Sequence, residues 1–249
     1  MEFDLKGRVA FVTGATSGLG RHFATVLAKA GAAVAISGRR AERLAELRKE
    51  IATGGKCAEI VLDVTDARQI APALDKAEAM LGPVDILVNN AGMSANGPVA
   101  DIATADFDAV MATNLRAPFL LAQDVGRRMI ARGKGGRIIN IASITAFRVL
   151  QGSAPYCISK AGLAMMTQCM AREWARYDIN VNAICPGFIE TELNDAWFES
   201  AKGKAQIQSF PKRRLQRPDD LDSTLLLLAS DASRAITGAL FNVDEAQSL

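Results

Sequence analysis

Histidine and cysteine are scarce in this 249-residue chain: there is one histidine, His22, and four cysteines, Cys57, Cys157, Cys169 and Cys185. The cysteines are scattered in apolar surroundings with no Cys-x-x-Cys spacing, so they read as core or inert thiols and no zinc site is expected. A histidine-based hydrolytic triad would have to use His22, which falls inside the first predicted helix. No apolar run approaches the roughly 20 residues of a membrane span. The first residues are acidic and lack the basic and apolar regions of an export signal. A cytoplasmic protein without membrane partners is the expectation. The formal net charge of +2 is too small for a nucleic-acid footprint.

Apolar residues, by contrast, make up 49% of the chain, enough for a sizeable core. Short β-branched runs at 9–13, 33–37, 57–62, 86–89, 137–141, 180–184 and 239–243 read as buried parallel strands. Amphipathic stretches at 18–30, 41–53, 67–81, 105–131, 154–177 and 219–229 read as helices between them. Strand and helix alternate from end to end. This predicts an α/β fold: one doubly wound parallel sheet in a single domain, 1–249. The stretch 188–218 breaks the rhythm and carries Trp197, Phe198 and Phe210. A loop that long inside a domain is usually functional, which predicts a helical substrate-binding lid.

Between the first strand and first helix runs Thr13-Gly14-Ala15-Thr16-Ser17-Gly18-Leu19-Gly20. Gly14 permits a tight turn, Gly18 lets backbone approach a ligand, and Gly20 allows close helix–strand packing. The helix N-terminus then faces a pyrophosphate. These residues predict a Rossmann-type dinucleotide site. The second strand ends Ser37-Gly38-Arg39-Arg40. Gly38 stands where a carboxylate would hold the ribose hydroxyls of NAD(H), and Arg39 offers a guanidinium for a 2′-phosphate. NADP(H) is therefore expected over NAD(H). Asp63-Val64 closes the third strand, with Asp63 placed either against adenine or as a helix N-cap.

Tyr156 and Lys160 lie four positions apart in a predicted helix, hence on one face. A tyrosine has a pKa of about 10, and a nearby ammonium lowers it. Such a phenol can give a proton to a carbonyl oxygen or take one from an alcohol.

With Asn89-Asn90-Ala91-Gly92, Asn114, Ser143 and Pro186-Gly187 in order around these segments, the chain resembles a short-chain dehydrogenase/reductase of the NADPH-dependent ketoreductase (carbonyl reductase) type, over almost its whole length. The resemblance implies that Tyr156 is the general acid in reduction and the base in oxidation. It implies that Lys160 tunes Tyr156 and binds the nicotinamide ribose. Ser143 would bind the substrate oxygen, and Asn114 would hold a water linking Lys160 to solvent. Asn90, Ala91 and Gly92 would pass under the adenosine ribose, while Asn89 ties strands together. The run Pro186-Gly187-Phe188-Ile189-Glu190-Thr191 would bind the nicotinamide carboxamide through the Ile189 backbone and the Thr191 hydroxyl. No metal is implied, and a homotetramer built partly on 105–131 and 154–177 is.

Thr145, Phe147, Leu150, Gln151, Phe188 and Trp197, with Ser143 and Tyr156, are the candidate substrate residues. Their aromatic content points to a hydrophobic or aryl ketone, unless they only pack the lid. Arg148 and Gln151 could meet a polar group. A 3-oxoacyl-acyl-carrier-protein reductase is the near alternative. It needs a basic patch, which Arg127, Arg128, Arg132 and Lys134, or Lys212-Arg213-Arg214, could supply. Tyr177-Asp178 stands where such reductases often carry a basic residue. A nucleotide-sensing protein without catalysis is the alternative of another class. One departure stands out: relatives commonly have two glycines after the last strand's aspartate, and this chain has Glu245-Ala246. The backbone there is open to question.

Overall fold

The computed structural model describes residues 3–190 and 195–249. Seven parallel strands form one sheet: β1 (Val9–Val12), β2 (Ala33–Gly38), β3 (Cys57–Val61), β4 (Ile86–Asn89), β5 (Gly136–Ile141), β6 (Ile179–Pro186) and β7 (Leu240–Val243). Their spatial order is β3-β2-β1-β4-β5-β6-β7. The chain thus builds outward from β1 in one direction, returns, and builds outward in the other. The reversal between β1 and β4 opens a crevice at their carboxyl ends, where ligands of such sheets sit.

The helices are α1 (Gly18–Lys29), α2 (Ala41–Ala52), α3 (Ala67–Leu81), α4 (Thr104–Met111), α5 (Ala117–Arg132), α6 (Ala154–Trp174), α7 (Asp195–Glu199), α8 (Ala201–Ser209) and α9 (Asp222–Ala229). The inner strands are apolar on both faces because both are covered. On one face Phe23, Leu27, Leu44, Leu47, Leu225 and Leu228 of α1, α2 and α9 meet Val12, Ile36 and Ile139. On the other, Leu74, Leu121, Val125 and Leu163 of α3, α5 and α6 meet Phe11, Leu87 and Ile138.

Three predicted boundaries shift. The helix expected at 105–131 is two helices, α4 and α5, joined by a π turn at Ala112–Arg116. Pro118 explains the break, since it has no N–H to give the carbonyl of Asn114 four residues back. The helix at 154–177 ends at Trp174 and tightens into a 3-10 turn, Ala175–Tyr177. The helix at 219–229 opens as a 3-10 turn at Pro218–Leu221 before α9.

The stretch 188–218 holds the short α7 and α8, and its two roots meet in a parallel bridge between Ile189 and Gln216. Phe188 stacks on Phe210, with ring centroids 5.3 Å apart, and meets Phe198 edge-on at 5.8 Å. His22 pairs with Asp222 at 2.6 Å and joins α1 to α9. Burial pushes the Cys57 thiol up to about 12 and Cys185 up to about 11, which keeps both unreactive. Cys169 is exposed and Cys157 half-buried.

Candidate active site

One cavity of about 560 Å³ runs along the carboxyl ends of the strands. Its nucleotide end is built by the loop after β1. Gly14, Thr16, Ser17, Gly18 and Leu19 line it. Gly14 sits at φ +67°, and a Cβ there would lie 2.9 Å from Ala91 Cα. Gly20 is not one of the residues that line the cavity. A Cβ on Gly20 would lie 2.3 Å from the Gly14 carbonyl, so its absence lets α1 press against the loop. Thr13 binds the neighbouring strand end, its hydroxyl accepting from Asn90 N at 2.9 Å and Ala91 N at 3.0 Å. Asn90 returns a bond to the Thr13 carbonyl at 2.9 Å. Asn90, Ala91 and Gly92 all line the cavity. Asn89 does not; its amide donates to Asn140 at 2.9 Å and ties β4 to β5.

Gly38, Arg39, Arg40, Asp63 and Val64 form the next part of the wall. A Cβ on Gly38 would lie 2.7 Å from Thr16 Cγ2. Thr16 is held by Arg40, which donates to its hydroxyl at 2.8 and 3.2 Å and to Ser17 at 2.8 Å. A carboxylate at Gly38 would therefore have to displace a fixed threonine, while two guanidiniums stand next to the gap. Asp63 accepts from the hydroxyl and the amide of Thr65, at 2.7 and 3.0 Å. Those two bonds, helped by Arg39, hold its carboxyl below the usual range. The N-cap of α3 is Asp66, not Asp63.

At the other end of the cavity stand Ser143, Tyr156 and Lys160. Ser143 follows β5 in extended backbone; its hydroxyl accepts from Thr145 N at 3.1 Å and faces the Tyr156 phenol. Lys160 lies one turn further along α6. It is buried and donates to the Ile141 carbonyl at 2.7 Å. Its Nζ lies 5.5 Å from the Tyr156 ring centroid. Burial pushes Tyr156 up to about 12, the Ser143 hydroxyl working against it. Burial also pushes Lys160 down to about 8. Tyr156 thus moves opposite to the lowering expected from Lys160, and burial is the cause. Near neutral pH the pair is a phenol beside a largely charged ammonium, set to donate a proton.

Asn114 is fully buried in the π turn. Its side chain accepts from Met93 N at 2.9 Å and donates to the Met93 carbonyl at 2.8 Å and to Ser159 at 3.0 Å. It therefore fixes the loop after β4 to the helix that carries Tyr156. Met93 and Thr113 line the cavity without any motif that marks them in the sequence.

Pro186, Gly187 and Ile189 close the wall. Thr191 lies outside the described residues. Two glutamines that no motif announced hold this turn. Gln216 accepts from Gly187 N at 3.0 Å, and Gln247 accepts from Phe188 N at 2.8 Å. A Cβ on Gly187 would lie 2.6 Å from the Gln247 side chain.

Of the candidate substrate residues, only Ser143 and Tyr156 line this cavity. Thr145 is buried beside Ser143, and its hydroxyl has no hydrogen-bond partner among the described residues. Phe147, Gln151 and Trp197 are exposed and Leu150 is partly so; Trp197 donates to Gln206 at 2.8 Å. Phe188 is engaged with Phe198 and Phe210. Among the described residues no cluster of His, Cys, Asp and Glu is arranged to hold a metal ion. None of the helices there is long and apolar enough to cross a membrane.

Comparison with known proteins agrees with this geometry. The chain is 36% identical to D-threitol dehydrogenase of Mycolicibacterium smegmatis, covering 98% of this chain and 94% of that one. It is 35% identical to a 3-oxoacyl-acyl-carrier-protein reductase of Aquifex aeolicus, covering 98% of each. The crystal structure of a gluconate 5-dehydrogenase from Burkholderia cenocepacia, in complex with NADP and tartrate, superposes with a TM-score of 0.94 at 38% identity. The match spans 99% of this chain and 97% of that one. Residues 8–202 match the family model for short chain dehydrogenases. With the glycine loop, the Ser143–Tyr156–Lys160 set and the strand order all in place, the chain belongs to the short-chain dehydrogenase/reductase family.

Proposed function

We propose that this protein interconverts a ketone and its secondary alcohol with NADP(H), and that Tyr156 handles the proton. The carrying observation is that Ser143, Tyr156 and Lys160 meet on the wall of the same cavity as the Gly14–Leu19 loop. The crowded Gly38 position and the neighbouring Arg39 and Arg40 favour a 2′-phosphate over free ribose hydroxyls. Thr16, Ser17, Gly18 and Leu19 would hold the pyrophosphate, and Pro186, Gly187 and Ile189 the nicotinamide end. When bound, the nicotinamide supplies or takes up the hydride. The chain's own residues manage the oxygen. Ser143 donates to it, Tyr156 gives it a proton in reduction, and the Lys160 cation favours the phenolate while that proton is away.

The substrate best supported is a hydroxylated ketone or polyol, of the sugar-acid or sugar-alcohol kind. The Phe188–Phe198–Phe210 cluster binds itself, so the hydrophobic or aryl ketone expected from the sequence loses its main support. Relatives named for threitol and gluconate point the same way. The acyl-carrier reading keeps a relative of that name, but four of its seven candidate basic residues are already paired with carboxylates. Arg128 is bound by Asp75, Glu78 and Asp124, Arg132 by Asp85, and Lys212 and Arg214 by Glu245. The sensing alternative needs a damaged catalytic set, and this one is whole.

Assembly as a homotetramer is part of the proposal. An apolar groove of about 930 Å³ between the π turn, α5 and α6, lined by Leu115, Phe119, Met165 and Trp174, would be its seat.

The test is NADPH oxidation with a keto-sugar acid, an aryl ketone and a 3-oxoacyl thioester. The keto-sugar acid should be turned over with the highest kcat/KM. Preference for the thioester or the aryl ketone would reassign the substrate, and no turnover with any would contradict the enzymatic reading.

A further inference from the structure

The last residues tie together three parts of the site that are distant in sequence. Asp244 starts the tail, its carboxylate accepting from Ala246 N at 3.1 Å and Ser248 N at 2.9 Å. Glu245 and Ala246 then take φ +52° and +64°, a conformation that side chains rarely adopt. The turn aims the Glu245 carboxylate inward, where only 8% of it is exposed. There it pairs with Arg214, and with Lys212 at 3.0 Å. Arg214 in turn holds Asp220 at 3.2 Å. Two residues on, Gln247 takes the amide of Phe188. Arg148, five residues after Ser143, donates to the carbonyls of Gln247 at 3.3 Å and Leu249 at 3.0 Å. The tail thus grips both roots of the 188–218 segment and the loop behind the catalytic serine.

We propose that residues 244–249 are a clasp that fixes the two roots of that segment, 188–190 and 210–217, beside the carbonyl site, with Glu245 as its positioning residue. This rests on the reading of the site as a ketone/alcohol site. Glu245 is the buried partner, while Arg214 and Lys212 stay 40% and 61% exposed, so removing the carboxylate loosens the contact without stranding a buried charge. The clasp holds the turn proposed for the nicotinamide end through Gln247, while the Gly14–Leu19 loop and Arg39 lie at the other end of the cavity, so the affinity for NADPH should change less than the KM for the ketone.

Three variants test this. Glu245→Gly removes the carboxylate and suits the backbone at φ +52°, so folding is not at risk. Glu245→Gln keeps the length and drops the charge. Ala246→Gly relaxes the neighbouring position and leaves the carboxylate. Hydrogen exchange of peptides spanning 201–217 is measured with and without NADPH, and KM for the best ketone of the panel is compared with the Kd of NADPH. Glu245→Gly should speed exchange across 201–217 roughly tenfold, with sheet peptides unchanged, and raise the ketone KM roughly fivefold with at most about a twofold rise in NADPH Kd. Glu245→Gln should fall between it and the wild type, and Ala246→Gly should match the wild type. Unchanged exchange, or an unchanged ketone KM, overturns the proposal. A wild type that turned over no carbonyl would sink the functional reading instead and leave exchange to judge the clasp.

Discussion

Lys160 shows at the scale of one residue how this site trades stability for chemistry. Its amine is buried and pushed down to about 8. An unfolded lysine titrates near 10.4. Between those values the unfolded chain binds more protons than the folded one, so stability rises with pH across that window. Below about 8 the folded protein carries a buried cation with little to offset it but the Ile141 carbonyl. Lys160→Met should therefore raise unfolding free energy at pH 7 by about 1–3 kcal/mol while turnover collapses. The gain should shrink as pH climbs toward 10, where the wild-type amine is already neutral. Urea titrations of both proteins at pH 7 and 9.5 check this; a destabilised variant at pH 7 would show that the amine's bonds outweigh its burial. Tyr156 and Lys160 were legible in the sequence because a four-residue spacing on a helix fixes their relative place. The balance of forces on them was not, because burial depends on what the rest of the chain packs around them.

Elements explain which further parts could be read in advance. The glycine loop after β1 is dictated locally, since tight turn, close approach and packing each exclude a side chain at Gly14 or Gly20. The π turn at Ala112–Arg116 was hidden inside an apparently continuous helical pattern. Its one signal was Pro118, which reads equally well as a helix start. Gln216 and Gln247 were illegible, because each acts on a turn that only the folded sheet brings near. The departure at Glu245-Ala246 resolves physically. The chain keeps the left-handed backbone that glycine would favour, and an ion pair with Arg214 holds it. The end of β2 gives the sharpest test at this scale. Arg39 lines the cavity next to Asp63, so Arg39→Glu should weaken NADPH by about 1–3 kcal/mol and leave NADH within a few tenths. Fluorescence titration of both cofactors reads the ratio; an unchanged ratio would remove Arg39 from the 2′-phosphate site.

The strand order of the whole molecule makes the site possible. The reversal between β1 and β4 brings residues from both halves of the chain to one crevice. Alternation of strands and helices predicted that arrangement well. What it left open was which helix faces are core and which are surface. In the structure α5 and α6 bury one side against the sheet and leave Phe119 and Met165, 44% and 59% exposed, in the groove. Apolar side chains grouped this way are typical of an interface. Met165→Glu should convert a tetramer of the wild type to smaller species without unfolding the subunit, as light scattering after size exclusion would show. A wild type that runs as a monomer would remove the tetramer from the account.

The central claim is that Tyr156 moves the proton in a site otherwise assembled for a dinucleotide and a carbonyl. It is tested most directly by Tyr156→Phe, which removes only the hydroxyl, with single-turnover NADPH oxidation measured on protein shown by titration to bind NADPH. The account predicts binding within about twofold of wild type and a turnover rate lowered by roughly 10²–10⁴. Turnover near the wild-type rate from a folded, NADPH-binding variant would contradict it.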